Sequence, residues 1–170
     1  GQRIGSGVEV SDGLVFAGSN NLYAVDIATG TEEWSFSPGD GIGSGIEVSD
    51  GLVFAGSFDN NLYAVDIATG AQEWSFSTGS SVNSGIAVSG GLVFAGSFDN
   101  NLYAVDIATG TEEWSFPAGQ RIRSGVEVSD GLVFAGSDNS NLYARGTVSG
   151  EDRESVQLYN SDGTGWGFVL

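Results

Sequence analysis

The twenty residues "GLVFAGSFDNNLYAVDIATG" stand at 51–70 and return letter for letter at 91–110. Variants extend the series in both directions, "GLVFAGSNNLYAVDIATG" at 13–30 and "GLVFAGSDNSNLYARG" at 131–146. The "GLVFAG" segments start at 13, 51, 91 and 131, so the spacing is 38, 40 and 40 residues. A period near forty marks an array of supersecondary units, each unable to bury its apolar faces alone. The repeated stretch therefore describes a shape that every copy must share.

Within each copy the residues divide into four short strands. The first is "SGVEV", "SGIEV" or "SGIAV", closed by Ser-Asp-Gly or Ser-Gly-Gly; then come "LVFAGS", "NLYAV" and finally "EEWSF" or "QEWSF". Gly and Asx residues occupy every junction, as tight hairpins require. In "LVFA", Leu52 and Phe54 point one way while Val53 and Ala55 point the other, so both faces are apolar. "LYAV" behaves likewise, whereas in "EEWSF" Trp114 and Phe116 share one face opposite Glu113 and Ser115. Middle strands buried on both sides and a half-exposed last strand describe small sheets stacked against similar sheets. Helical periodicity is absent. The expected fold is all-β: a β-propeller of four blades, each about forty residues and four strands. The repeats fall at 1–39, 40–79, 80–119 and 120–154, in one propeller domain over 1–170. The last blade is atypical, and residues 155–170 are expected to add a C-terminal hairpin.

A second pattern links the third strand to the fourth. "AVDIATGTEEW" starts at Ala24 and at Ala104, and "AVDIATGAQEW" at Ala64, giving Ala-x-Asp-x-x-x-Gly-x-x-x-Trp three times. The residues involved are Ala24, Asp26, Gly30 and Trp34; Ala64, Asp66, Gly70 and Trp74; and Ala104, Asp106, Gly110 and Trp114. Each Asp can accept backbone N–H bonds in a turn, and each Gly permits a left-handed conformation there. The Ala leaves room for a large ring, and the Trp brings roughly 150–250 Å² to an inter-sheet contact. This pattern closely resembles the tryptophan-docking motif of the quinoprotein (PQQ-like) propeller family, across nearly all of residues 1–144. WD40 repeats share the period, but their Gly-His and Trp-Asp signature is missing and the chain has no histidine.

The resemblance implies a choice between enzyme and scaffold. Family enzymes hold a quinone and calcium among unlike residues drawn from several blades. Here the central copies differ by swaps as mild as Thr111 for Ala71, and there is no Lys, His or Cys to act as base or nucleophile. The paired cysteines beside the cofactor in family enzymes are absent too. The expectation is therefore a non-catalytic propeller without cofactor, working as a structural or adhesive scaffold at the cell surface or outside the cell. Its alternative is a ligand-binding or redox propeller domain, or half of a larger quinoprotein ring. Glu9, Glu47 and Glu127 occupy the same place in the first strand, with Ala87 in the third copy. In the family that strand lies nearest the axis, so these carboxylates are the candidate ligands for Ca²⁺ or Mg²⁺. Solvent-facing glutamates are the plainer reading, as turns are for "FDNN" at 58–61 and 98–101.

Charge narrows the partners. Twenty-two acidic residues face five arginines, a formal charge of −17. Nucleic acid and anionic membranes carry the same sign and are excluded as partners, and no apolar run approaches the ~20 residues of a membrane helix. Acidic excess without lysine points to a salt-loving, haloarchaeal source, where screening relieves self-repulsion. A chain beginning at Gly1 rather than Met is expected to be a processed or excised product.

The repeat breaks after Ala144. There "RGTVSGEDRES" places Gly146 where Asp belongs and Glu154 where Trp belongs. The following "VQLYNSDGTGWGFVL" echoes the third and fourth strands, making Tyr159, Trp166 and Phe168 the candidate assembly residues. They are expected to cover the last blade or pair with a neighbour's edge. Four blades close alone, pair with a second copy into an eight-bladed ring, belong to something longer or polymerise into a filament, so the partner is another copy of the chain or another protein.

Overall fold

A computed structural model describes residues 4–148. Glu154, the extension 155–170 and with them Tyr159, Trp166 and Phe168 lie outside the described residues.

The fold is an all-β propeller arrangement of four antiparallel sheets. Blade 1 comprises β1 (Val8–Ser11), β2 (Leu14–Gly18), β3 (Leu22–Asp26) and β4 (Glu32–Phe36). Blade 2 comprises β5 (Ile42–Ser49), β6 (Leu52–Ser57), β7 (Asn61–Asp66) and β8 (Gln72–Ser77). Blade 3 comprises β9 (Val82–Ser89), β10 (Leu92–Ser97), β11 (Asn101–Asp106) and β12 (Glu112–Pro117). Blade 4 has three described strands, β13 (Ile122–Ser129), β14 (Leu132–Ser137) and β15 (Leu142–Gly146). Strand order within every sheet follows the sequence, a plain meander. No helix among the described residues is long and apolar enough to cross a membrane.

Two-residue turns set the register of the first hairpin in each blade. Asp50 and Gly51 have φ of 53° and 77°, the left-handed pair that matches strand twist, and the same pairing recurs at Asp12 and Asp130. Asn60 and Asn100 supply positive φ in the second hairpin. Blade 1 lacks two residues at that hairpin, which accounts for its shorter period.

The first strands run longer than the sequence pattern indicates. The pattern opens them at Ser44 or its equivalents, but β5 begins at Ile42 and passes through an irregularity between Ile42 and Ile46. The serine inside that bulge explains how the chain tolerates it. A bulge leaves a ladder N–H without its carbonyl. Ser44 Oγ accepts that bond from Gly56 N at 2.6 Å, and Ser6, Ser84 and Ser124 do the same for Gly18, Gly96 and Gly136 at 2.6, 2.8 and 2.7 Å.

Each blade has a front face toward the following blade and a back face toward the preceding one. The core consists of the interfaces between them. Phe16, Leu22, Ala24 and Trp34 on the front of blade 1 pack with Ile42, Ile46, Val53, Ala55, Tyr63 and Val65 on the back of blade 2. The same set recurs between blades 2 and 3 and between blades 3 and 4. Glycines permit the close approach: a Cβ at Gly56 would come within 2.4 Å of Val82, and one at Gly96 within 2.1 Å of Ile122. Phe36 meets Tyr63 with ring centroids 5.1 Å apart, and Phe76 meets Tyr103 at 5.3 Å.

Candidate functional site

Three features of this frame present chemistry: the tryptophan sockets, the loop mouth at the opposite end of the blades, and the carboxylates of the first strands. Asp66 builds the socket in blade 2. Its Oδ1 accepts from Thr69 N at 2.8 Å, Thr69 Oγ at 2.6 Å and Ala68 N at 3.1 Å, while Gly70 N donates back to Asp66 O at 2.9 Å. These donors, the threonine hydroxyl foremost, hold the Asp66 carboxyl below its ordinary range, and Asp26 and Asp106 are lowered in the same way. The turn thereby aims the Ile67 carbonyl outward, and Trp34 Nε1–H of blade 1 donates to it at 2.9 Å. The indole lies over Gly70, whose φ is +72° and whose absent Cβ would sit 2.7 Å from Cδ2 of Trp34. Trp74 repeats the arrangement on Ile107 O at 2.8 Å and on Gly110. Trp114 reaches Thr147 O at 3.3 Å, although blade 4 has Gly146 in place of the socket aspartate. Ala24, Ala64 and Ala104 stand directly opposite the tryptophan of their own blade across the third and fourth strands. Trp34, Trp74 and Trp114 thus each reach the turn of the next blade.

The socket of blade 1 differs. Asp26 and Thr29 make the same turn, with Oδ1 accepting Thr29 N at 2.7 Å. Yet no described indole reaches it: a Cβ at Gly30 would meet nothing within 4 Å, and Ile27 is 56 % exposed where Ile107 is 5 %.

At the other end, the "FDNN" loops form latches. Asp59 accepts from Tyr63 OH at 2.7 Å, from Gly39 N at 2.7 Å and from Asn61 N at 3.0 Å. Partial burial would raise its pKa, but these donors outweigh burial and leave it lowered. Asp99 repeats the latch with Tyr103 and Gly79, each at 2.7 Å. Burial, followed by the bond to Asp99, pushes the Tyr103 phenol up to about 12. Phe58 and Phe98 project beside the latches. Phe58 is 43 % exposed, and Arg121 and Arg123 each place a guanidinium 5.2 Å from the Phe98 ring centroid. Two guanidinium groups thus lie against one aromatic ring on an otherwise acidic chain. The loops read plainly as turns in the sequence. Their latching role was not legible, because Gly39 and Gly79 come from the preceding connection, about twenty residues away.

Glu9, Glu47 and Glu127 pair in register with Phe16, Phe54 and Phe134, so they do share one level of the first strands, as Ala87 does opposite Phe94. Burial, then the neighbouring charge of Glu9 and, more weakly, that of Glu127, raise the Glu47 pKa. Among the described residues no three His, Cys, Asp or Glu side chains are grouped to hold a metal ion. Arg145 is a further departure: it stands where Val65 and Val105 stand in the inner blades, is buried, and lies 3.5 Å from the Phe116 ring centroid. The switch from "AVD" to "ARG" in the fourth copy was its sequence signal.

Blades joined by indoles in the turns of their neighbours define a PQQ-like propeller repeat protein. The chain belongs to the family described as outer membrane protein assembly factor BamB, whose model matches residues 1–84 and again 77–164. Among solved structures it is similar to BamB from Moraxella catarrhalis, with a TM-score of 0.80 and 22 % identity over 92 % of this chain and 51 % of that one. It is also similar to the computationally designed Ika4 protein, with a TM-score of 0.77 and 19 % identity over 85 % of this chain and 91 % of that one. The quinohemoprotein alcohol dehydrogenase ADHIIG from Pseudomonas putida HK5 shares the fold at a TM-score of 0.79 and 19 % identity, over 92 % of this chain and 34 % of that one. The chain therefore spans about half the length of the BamB structure. No curated protein matches it.

Proposed function

We propose that the chain is a non-catalytic propeller scaffold that holds other polypeptides, its own copies among them, at the cell surface or outside the cell. The observation that carries this reading is the match of the BamB family, described as an assembly factor for outer membrane proteins, to both halves of the array. The chemistry of the repeats supports it. Asp26, Asp66 and Asp106 are each engaged in holding a turn, and Asp59 and Asp99 in holding a loop. The exposed Phe58 and the stacked Arg121 and Arg123 suit an extended peptide with apolar and acidic side chains. A photo-crosslinking aromatic in place of Phe58, introduced in the producing cell, tests the role. Covalent adducts with polypeptides are the expected product. Saturable binding of pyrroloquinoline quinone with calcium, accompanied by alcohol-dependent dye reduction, would overturn the scaffold reading.

A further inference from the structure

The described residues form an arc whose two ends are open in complementary ways. At the back of blade 1, Ile4 is 66 % exposed and Val8 is 57 % exposed, whereas the equivalent Ile42, Ile46, Val82, Ile86, Ile122 and Val126 are all at 6 % or less. Those buried residues enter recesses left by front-face glycines: Ile42 faces Gly18, Val82 faces Gly56 and Ile122 faces Gly96. Among the described residues, the fourth member of the glycine series, Gly136 on the front of blade 4, would meet only Ser124 of its own blade within 4 Å. A stack of glycines along the first strands has the same ending. The absent Cβ atoms of Gly7, Gly45 and Gly85 face the next blade at 3.4, 3.1 and 2.5 Å, but Gly125 meets no described residue within 4 Å. Phe134 and Leu142 on that front are half-buried, where Phe54, Phe94, Leu62 and Leu102 are completely buried.

Among the described residues, the knob positions Ile4 and Val8 of blade 1 and the recess positions Gly125 and Gly136 of blade 4 are thus without a neighbouring blade. We propose that a second copy of this chain fills both ends: blade 4 of each copy seats on the back of blade 1 of the other, Ile4 entering the recess at Gly136 of the partner subunit. The two contacts are equivalent and heterologous, and such contacts close into a ring when the rotation between copies completes a turn. The partner named here deepens the scaffold reading and rests on it only for its biological use.

Sedimentation equilibrium of the 170-residue chain in about 2 M NaCl, where the Debye length is only ~2–3 Å and the repulsion between acidic copies is screened, tests the ring. The expected mass is twice 17.5 kDa, falling to one chain for Ile4→Asp and Val8→Asp with unchanged near-ultraviolet circular dichroism. Both positions are exposed in the single copy, so these variants retain the fold. A one-chain mass at every concentration would overturn the proposal, as would polymers that grow with concentration or a dimer indifferent to both substitutions. Quinone turnover would sink the scaffold role and leave this result untouched.

Discussion

Gly30 and Gly70 occupy the same left-handed position, with φ of 72° in both, yet their surroundings differ. Gly70→Ala drives a methyl into the Trp34 ring, while Gly30→Ala meets no described residue within 4 Å. Both bear the left-handed strain of about 1–2 kcal/mol. Only Gly70→Ala adds a collision, so its melting temperature is expected to fall clearly below that of Gly30→Ala, measured on the dissociated chain. Trp74→Ala removes the indole and its bond to Ile107 O and should cost roughly 3–5 kcal/mol in denaturant unfolding. Titration gives two opposite signs. Asp66 has a lowered folded pKa, so its contribution is complete above the unfolded value of about 3.9 and is lost as pH falls through the folded one. Asp66→Asn is thus expected to melt lower at pH 7, with the difference shrinking in acid. Glu47 has a raised folded pKa, so its ionised form opposes folding at neutral pH. Glu47→Gln should melt higher than wild type at pH 7, and that gain should vanish by about pH 4, below the unfolded carboxyl value. The tryptophans, turn aspartates and glycines were legible because their pattern recurs within one copy. The Asp59 latch was not, because its partner Gly39 lies on another connection.

Among the elements, the hairpins followed from Asp-Gly and Asn-rich turns, but the extent of β5, β9 and β13 did not. Their bulges interrupt the alternation that marks a strand, so the pattern opens at Ser44, Ser84 and Ser124 and leaves out Ile42, Val82 and Ile122. The recurring serine was the overlooked signal. Its hydroxyl replaces a carbonyl in the ladder, so Ser84→Ala strands the buried N–H of Gly96. A loss of about 1–3 kcal/mol is expected for a buried donor left without a partner. Hydrogen exchange at the Gly96 amide gives an independent check, since its protection should fall first. The tryptophan of each fourth strand explains why that half-exposed edge still holds in the inner blades. Trp74 and Trp114 donate to the following blade rather than to their own.

For the whole molecule, the repeat period gave the number and order of the blades, since each sheet needs only its own forty residues to form. How the array ends was harder to read. Equivalent positions look the same in sequence whether or not a neighbour covers them, and only burial separates Ile4 from Ile42. Charge acts at this scale as well. A net −17 repels itself in dilute buffer, so the melting temperature should rise steadily from low salt to molar NaCl. A flat response would mean that the acidic side chains are spaced too widely to matter.

The claim on which the rest depends is that blades are joined by indoles seated in the turns of their neighbours. Exchange of the indole N–H protons, followed by nitrogen–proton correlation spectra and assigned with single Trp→Phe variants, tests it directly. Trp34, Trp74 and Trp114 donate across three successive interfaces, so their protons should exchange slowly and at rates that track unfolding of the array. Exchange of Trp34 and Trp74 at the rate of a free indole would contradict the docking geometry and, with it, this account of how the chain is built.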